Sequence, residues 1–203
     1  MTTKEHTQEK VVFGFWAYLM SDAVLFASLF ATYAVLSGAT FGGPSVADIF
    51  DLPFVLAETL ILLTSSFTAG LVVVIAARPK KEGKTWPSGP GAHSFLALAA
   101  LTATLLLGFA FLGMEVSEFR ELIAAGEGPG RSAFLSSFFT LVGTHGLHVF
   151  FGSLWGLVLM AHIVIRGLVP GTIRKLVCWS LFWHFLDVIW IFIFTFVYLL
   201  GAL

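Results

Sequence analysis

Five stretches of this sequence, at about 11–37, 52–77, 92–115, 133–165 and 176–200, are long and almost wholly apolar. A helix needs roughly 20 such residues to cross the hydrocarbon core of a bilayer. The polar connections between them, "SGATFGGPSVADIFD", "RPKKEGKTWPSGPG", "VSEFRELIAAGEGPGR" and "RGLVPGTIRK", are rich in turn formers and too short to hold a separate soluble domain. The predicted fold class is therefore all-α: an integral membrane bundle of five transmembrane helices, with residues 1–203 forming a single membrane domain.

Composition agrees and removes other classes. Only 11% of the residues are charged, where a soluble domain carries about 25%. The 22 Phe and 6 Trp suit lipid-facing and interfacial surface. A net charge of −1, with no basic cluster interleaved with aromatics, excludes nucleic-acid binding. The single cysteine, Cys178, cannot form an internal disulfide or a cysteine-rich metal site, and no C-x-x-C-H is present for covalent haem attachment. The first apolar run, after "MTTKEHTQEK", lacks a small-residue cleavage signature and reads as a retained span.

Lysine and arginine placement predicts the orientation. With the N-terminus cytoplasmic, Lys4, Lys10, Arg78, Lys80, Lys81, Lys84, Arg166, Arg174 and Lys175 lie inside, leaving only Arg120 and Arg131 outside. The acidic Asp48, Asp51, Glu118, Glu121 and Glu127 then fall on the outer side. An odd number of spans puts the C-terminus on the outer face.

Polar side chains inside apolar spans are costly, about 2.5 to 3.5 kcal/mol for a charged one near the centre, so each must be paired, neutral or turned toward protein. Asp22, Glu58, His145, His148, His162, His184 and Asp187 fall in the spans, with Glu115 at an outer end. In "WHFLDVIW", His184 and Asp187 share one helix face, about 4.5 Å apart along the axis. Asp22 lies roughly 15 Å from the cytoplasmic end of its span and His184 roughly 12 Å from that of its own, so Asp22, His184 and Asp187 meet if the first and fifth spans are neighbours. His148, at roughly 18 to 26 Å, does not match His184 in depth, which disfavours a shared haem. His184 and Asp187 are accordingly expected to be hydrogen bonded within the bundle and to touch neither metal nor haem. In "VGTHGLHVFFGSLWG" His145 and His148 share a face, and Gly152 with Gly156 forms a G-x-x-x-G that permits close helix approach. Glu58 is followed by Thr64, Ser65 and Ser66, which suit interhelical hydrogen bonding. Glu115 and Glu118, with Arg120 beside them, read as a solvated face at the outer membrane edge, and His162 as an interfacial residue.

Taken in order, "FWAYLMSDAVLF", "GMEVSEF", "GTHGLHV" and "WHFLDVIWIFIFTFVYL" resemble subunit III of haem-copper respiratory oxidases. The five-span length, "GGPSVADIFDLPFVLAET" and "GEGPGRSAFLSSFF" look closest to the cytochrome o-type ubiquinol oxidase branch; seven-span members carry two further N-terminal helices. The resemblance implies a helical bundle beside the catalytic subunit I, in contact also with subunits II and IV, in a complex of the bacterial inner (plasma) membrane that oxidises quinol, reduces oxygen to water and pumps protons. It implies no redox centre in this chain, haems and copper in the partner catalytic subunit, bound phospholipid in a cleft between helices, and support for proton uptake and turnover stability. It also places Asp22 where the family's "SE" motif has a carbodiimide-reactive glutamate. Three other readings remain: subunit III of a cytochrome c oxidase, a stand-alone membrane cytochrome using His145, His148 and His184, and a proton-coupled transporter using Asp22, Glu58 and Asp187.

Overall fold

The computed structural model describes residues 3–43, 49–81 and 92–201. The segments 44–48 and 82–91, with Asp48 and Lys84, lie outside the described residues, as do the side chains of Lys4, Lys10, Arg78, Lys80 and Lys81. The described chain is helical: α1 (Thr3–Leu36), α2 (Leu52–Lys81), α3 (Ala92–Ala124), α4 (Ala133–Arg166) and α5 (Pro170–Ile193), which runs on without a break into a π-helical turn, Phe194–Leu199. Each contains a stretch long and apolar enough to span a bilayer, so the chain is a multi-pass membrane protein.

Three helix ends lie six or more residues beyond the apolar boundaries, and each has a local cause. α1 starts at Thr3, about two turns before the apolar run, because "KEHTQEK" contains no glycine or proline to stop a helix. α3 continues through "VSEFRELIA" to Ala124 for the same reason and stops at Gly126, whose φ of +85° favours glycine. α5 starts at Pro170, a residue suited to the first turn of a helix because its missing N–H would be unpaired there anyway. Ser132 caps α4 by accepting from the Leu135 N–H at 3.1 Å.

α5 is the central element. More than half of its spanning window is buried, against a third or less for the other four helices. It packs against α2 and α4, and to a lesser extent α1; α2 pairs with α3, α3 with α4, and α1 rests chiefly on α4. Three tryptophans of α5 anchor the bundle, each burying a large ring while its one N–H finds an acceptor on another helix. Trp179 donates to the Gly152 carbonyl at 2.9 Å, Trp183 to the Ser65 hydroxyl at 3.1 Å and Trp190 to the Thr59 hydroxyl at 3.0 Å. The G-x-x-x-G of α4 makes room for these rings: a Cβ on Gly156 would come within 2.7 Å of Leu105 and 3.3 Å of Trp179.

Candidate functional site

The polar residues of the spans fall into separate groups. The first joins α1 to α4, where Nε2 of His148 lies 3.9 Å from Oδ2 of Asp22. Nδ1 of His148 is 2.7 Å from the Thr144 carbonyl, which can only accept, so Nδ1 carries a proton and Nε2 is left facing the carboxyl. At 3.9 Å the contact is an ion-pair geometry and too long for a direct hydrogen bond. Phe26 covers the imidazole, with ring centroids 5.2 Å apart.

This pairing corrects the expected meeting of Asp22 with His184 and Asp187. Apolar boundaries misplace the helix ends from which depth is counted, because α1 begins at Thr3 and α4 ends at Arg166. Counted from those ends, Asp22 and His148 lie about 28 and 27 Å along their helices, at one level. His184 instead sits at an α2–α5 contact, its Nδ1 2.6 Å from the Ser66 hydroxyl. Asp187, one turn on and mostly buried, lies beside the same hydroxyl and within electrostatic reach of His184, although no direct ion pair forms between the two. Gly70 gives His184 its space, an added Cβ falling 3.7 Å from Nε2.

The remaining serines and threonines of α2 continue this seam. Ser65 donates to the Thr104 carbonyl at 3.0 Å, and the hydroxyls of Thr68 and Thr104 are 2.8 Å apart, while Thr64 turns back onto its own helix. His162 is partly exposed and its Nδ1–H donates to the Val158 carbonyl at 2.9 Å.

The third group lies toward the end of the bundle where α1 and α5 finish. Glu58 on α2 is fully buried, and Glu115 and Glu118 on α3 are 3% and 9% exposed, so the solvated face expected for the latter two is corrected. Phe111, Glu115, Glu118 and Leu122 are all buried and fall at successive steps of four, three and four residues, one stripe of α3 turned inward. Arg120 points away into the exposed face. Tyr198, brought inward on the π-helical turn, donates its hydroxyl to Oε2 of Glu118 at 3.0 Å. Tyr198 was not singled out in the sequence, because its place depends on that turn; Glu118 was visible there only through its phase with Glu115.

His145 belongs to no polar pair. It is fully buried, 5.2 Å from the Trp190 ring and edge-on to Phe111 at 5.9 Å, and neither ring nitrogen has a partner among the described residues. The three histidines considered as a ligand set therefore face an Asp22 carboxyl, an aromatic box and a Ser66 hydroxyl. Among the described residues no three His, Cys, Asp or Glu side chains gather closely enough to hold a metal ion, and this arrangement does not fit a haem or copper centre.

Comparison with known proteins gives these contacts a context. Residues 2–202 match the family model described as cytochrome c oxidase subunit III. The cytochrome bo(3) ubiquinol oxidase subunit 3 of Pseudomonas aeruginosa is 60% identical over 192 residues, 95% of this chain and 86% of that relative. The protein of the same description from Pseudomonas putida is 52% identical over 195 residues, 96% of this chain and 88% of the relative. The cytochrome c oxidase subunit 3 of Bacillus sp. strain PS3 is 45% identical over 189 residues, 93% of this chain and 84% of the relative. The match runs through all five helices and through every polar group described above, and the chain belongs to the cytochrome c oxidase subunit III family.

Proposed function

We propose that the chain is the non-catalytic subunit III of a haem-copper terminal oxidase that takes electrons from ubiquinol and reduces oxygen to water while pumping protons. The observation that carries this reading is the end-to-end likeness to ubiquinol oxidase subunits 3, joined to the placement of His145, His148 and His184 against three unrelated partners. The haems and copper then reside in subunit I, the main contact, with subunits II and IV completing the complex. In this reading the chain is one membrane domain in the bacterial inner membrane, its N-terminus cytoplasmic and its C-terminus periplasmic.

Its work is support: packing against the catalytic subunit, holding lipid and steadying the protonation environment. The paired Asp22 and His148 are the side chains we assign to that last task, because a carboxyl and an imidazole facing each other can trade a proton. Two grooves suit phospholipid. One, about 550 Å3, lies between α1, α4 and α5, with Arg174 and Lys175 at its rim and Phe15, Tyr18 and Trp155 along its wall, a cationic lip over an apolar floor. The other, about 790 Å3, runs between α1 and α5 over Ala27, Ala31 and Ala34 and against Phe192 and Phe196.

Purification from membranes in mild detergent tests the reading. The expected result is co-purification with a large haem-copper partner and a colourless chain after dissociation. Haem retained by the separated chain would overturn it in favour of a membrane cytochrome.

A further inference from the structure

We propose that Glu58, Glu115, Glu118 and Tyr198 form a proton-binding site, in which the three carboxyls and intervening water share exchangeable protons reached through the groove beside Glu115. Three elements build it: α2 contributes Glu58, α3 contributes Glu115 and Glu118, and the π-helical turn after α5 contributes Tyr198. The Tyr198 hydroxyl donates to Glu118 at 3.0 Å and lies within electrostatic reach of Glu58 and Glu115 as well. Trp190 ties the α2 side to α5 by donating to Thr59, the neighbour of Glu58, with its ring 6.3 Å from that of Tyr198.

Two further features point to a ligand. Both oxygens of Glu58, whose side chain has no exposed surface, and Oε2 of Glu115 are buried without a hydrogen-bond partner among the described residues. A buried carboxyl oxygen left unpaired is costly, so these atoms must meet a proton or water. The second feature is the backbone: Leu200 N–H bonds the Thr195 carbonyl five residues back at 3.0 Å, and such π-helical turns concentrate at functional sites.

Charge decides which ligand. No lysine or arginine among the described residues pairs with any of the three carboxyls, and three bare like charges cannot stand together in a protein interior, so protons must be held there. The other titratable groups nearby do not relieve this. Glu121, on α3, adds to the negative charge felt by Glu118, and His145, from α4, is enclosed by Phe26, Phe111 and Trp190. Among the described residues these carboxyls do not form a group of three that could hold a metal ion, which favours protons linked by water. Glu115 lines a groove of about 570 Å3 between α3 and α4, bordered by Gly143, Thr144 and Gly146 among mostly apolar side chains, where the missing side chain of Gly146 admits its carboxyl.

Infrared spectroscopy of the complete membrane complex, through the stretching region of protonated carboxyls, tests the site apart from the subunit assignment, since the assignment is read from co-purification. The unmodified complex should show protonated-carboxyl absorption that shifts in D2O and diminishes as pH is raised. Glu58→Gln should remove one carboxyl's share and displace the bands that remain, and Tyr198→Phe should displace the Glu118 band without loss. Should Glu58→Gln fail to assemble, Glu115→Gln and the unmodified complex give the same readouts. Bands that resist D2O exchange, bands lost singly with the others unmoved, or bands that respond to sodium or calcium and not to pH would each overturn the proposal.

Discussion

Single side chains in this bundle carry consequences because an intramembrane polar atom that loses its partner finds no water in the hydrocarbon core to replace it. Ser66→Ala takes from the half-buried His184 its 2.6 Å hydrogen bond, and the cost should fall toward the lower end of the about 1–3 kcal/mol for a buried polar atom left unpaired. Thermal unfolding of the purified complex should show that loss, and Ser66→Ala combined with His184→Leu should cost less than the sum of the two, because the orphaned nitrogen is then gone. Asp22→Asn keeps the shape of the α1–α4 contact and removes the carboxyl that faces Nε2 of His148. The expected outcome is faster loss of oxidase activity over successive turnovers with the haem spectrum unchanged. A variant that holds activity as long as the parent counts against the supporting role of that pair. At this scale the identities of the polar residues were readable from the sequence, but their partners were not: Asp22 faces His148 because helices extend past their apolar runs, and counting from hydropathy alone places their ends wrongly.

At the scale of the helix, the interfaces depend on matching large rings to missing side chains. Trp179 and Phe182 of α5 lie over Gly156 and Gly152 of α4, and Trp183 lies over Gly108 of α3, where an added Cβ would come within 2.9 Å of the indole. Gly156→Leu must therefore displace Leu105 or Trp179 and should destabilise by at least about 1–3 kcal/mol, the usual range for overpacking. Loss of the chain from the purified complex at mild detergent concentration checks this. Gly108→Ala, opposed by a ring with little freedom to move, should weaken the α3–α5 contact in the same way. The G-x-x-x-G was legible as a site of close approach, yet the sequence did not say which helix approaches it. Nor did it show that "GMEVSEFRELI" stays helical with Glu115 and Glu118 inward; that follows from these two falling in phase with Phe111 and Leu122, whose apolar surface turns that stripe of α3 toward the core.

For the whole molecule, the lysine and arginine distribution predicts the N-terminus inside and the C-terminus outside. A reporter enzyme that folds only outside the cytoplasm should be active when fused after Leu203 and inactive when fused after Arg166, and the reverse pattern would invert the proposed orientation. The central position of α5 belongs to this scale too. A helix with more than half of its window buried has less surface left for another subunit than its neighbours have, so the faces open to protein partners are chiefly those of α1 to α4. Cross-linking in the complex should find catalytic-subunit contacts on those helices and few on the middle of α5.

What the sequence by itself determined is what length and hydropathy control: five spans, the all-α class and the family, the last through motifs spread along the whole chain. These are properties of segments, and a bilayer reads segments one at a time. The tertiary structure alone decided which polar side chains meet. Asp22 with His148, His184 with Ser66, and the inward grouping of Glu58, Glu115, Glu118 and Tyr198 each require helix neighbours, true helix ends and, for Tyr198, one π-helical turn. In a chain hydrophobic on nearly every face of every helix, periodicity carries little information about which face packs, and side-chain fit between helices makes the choice.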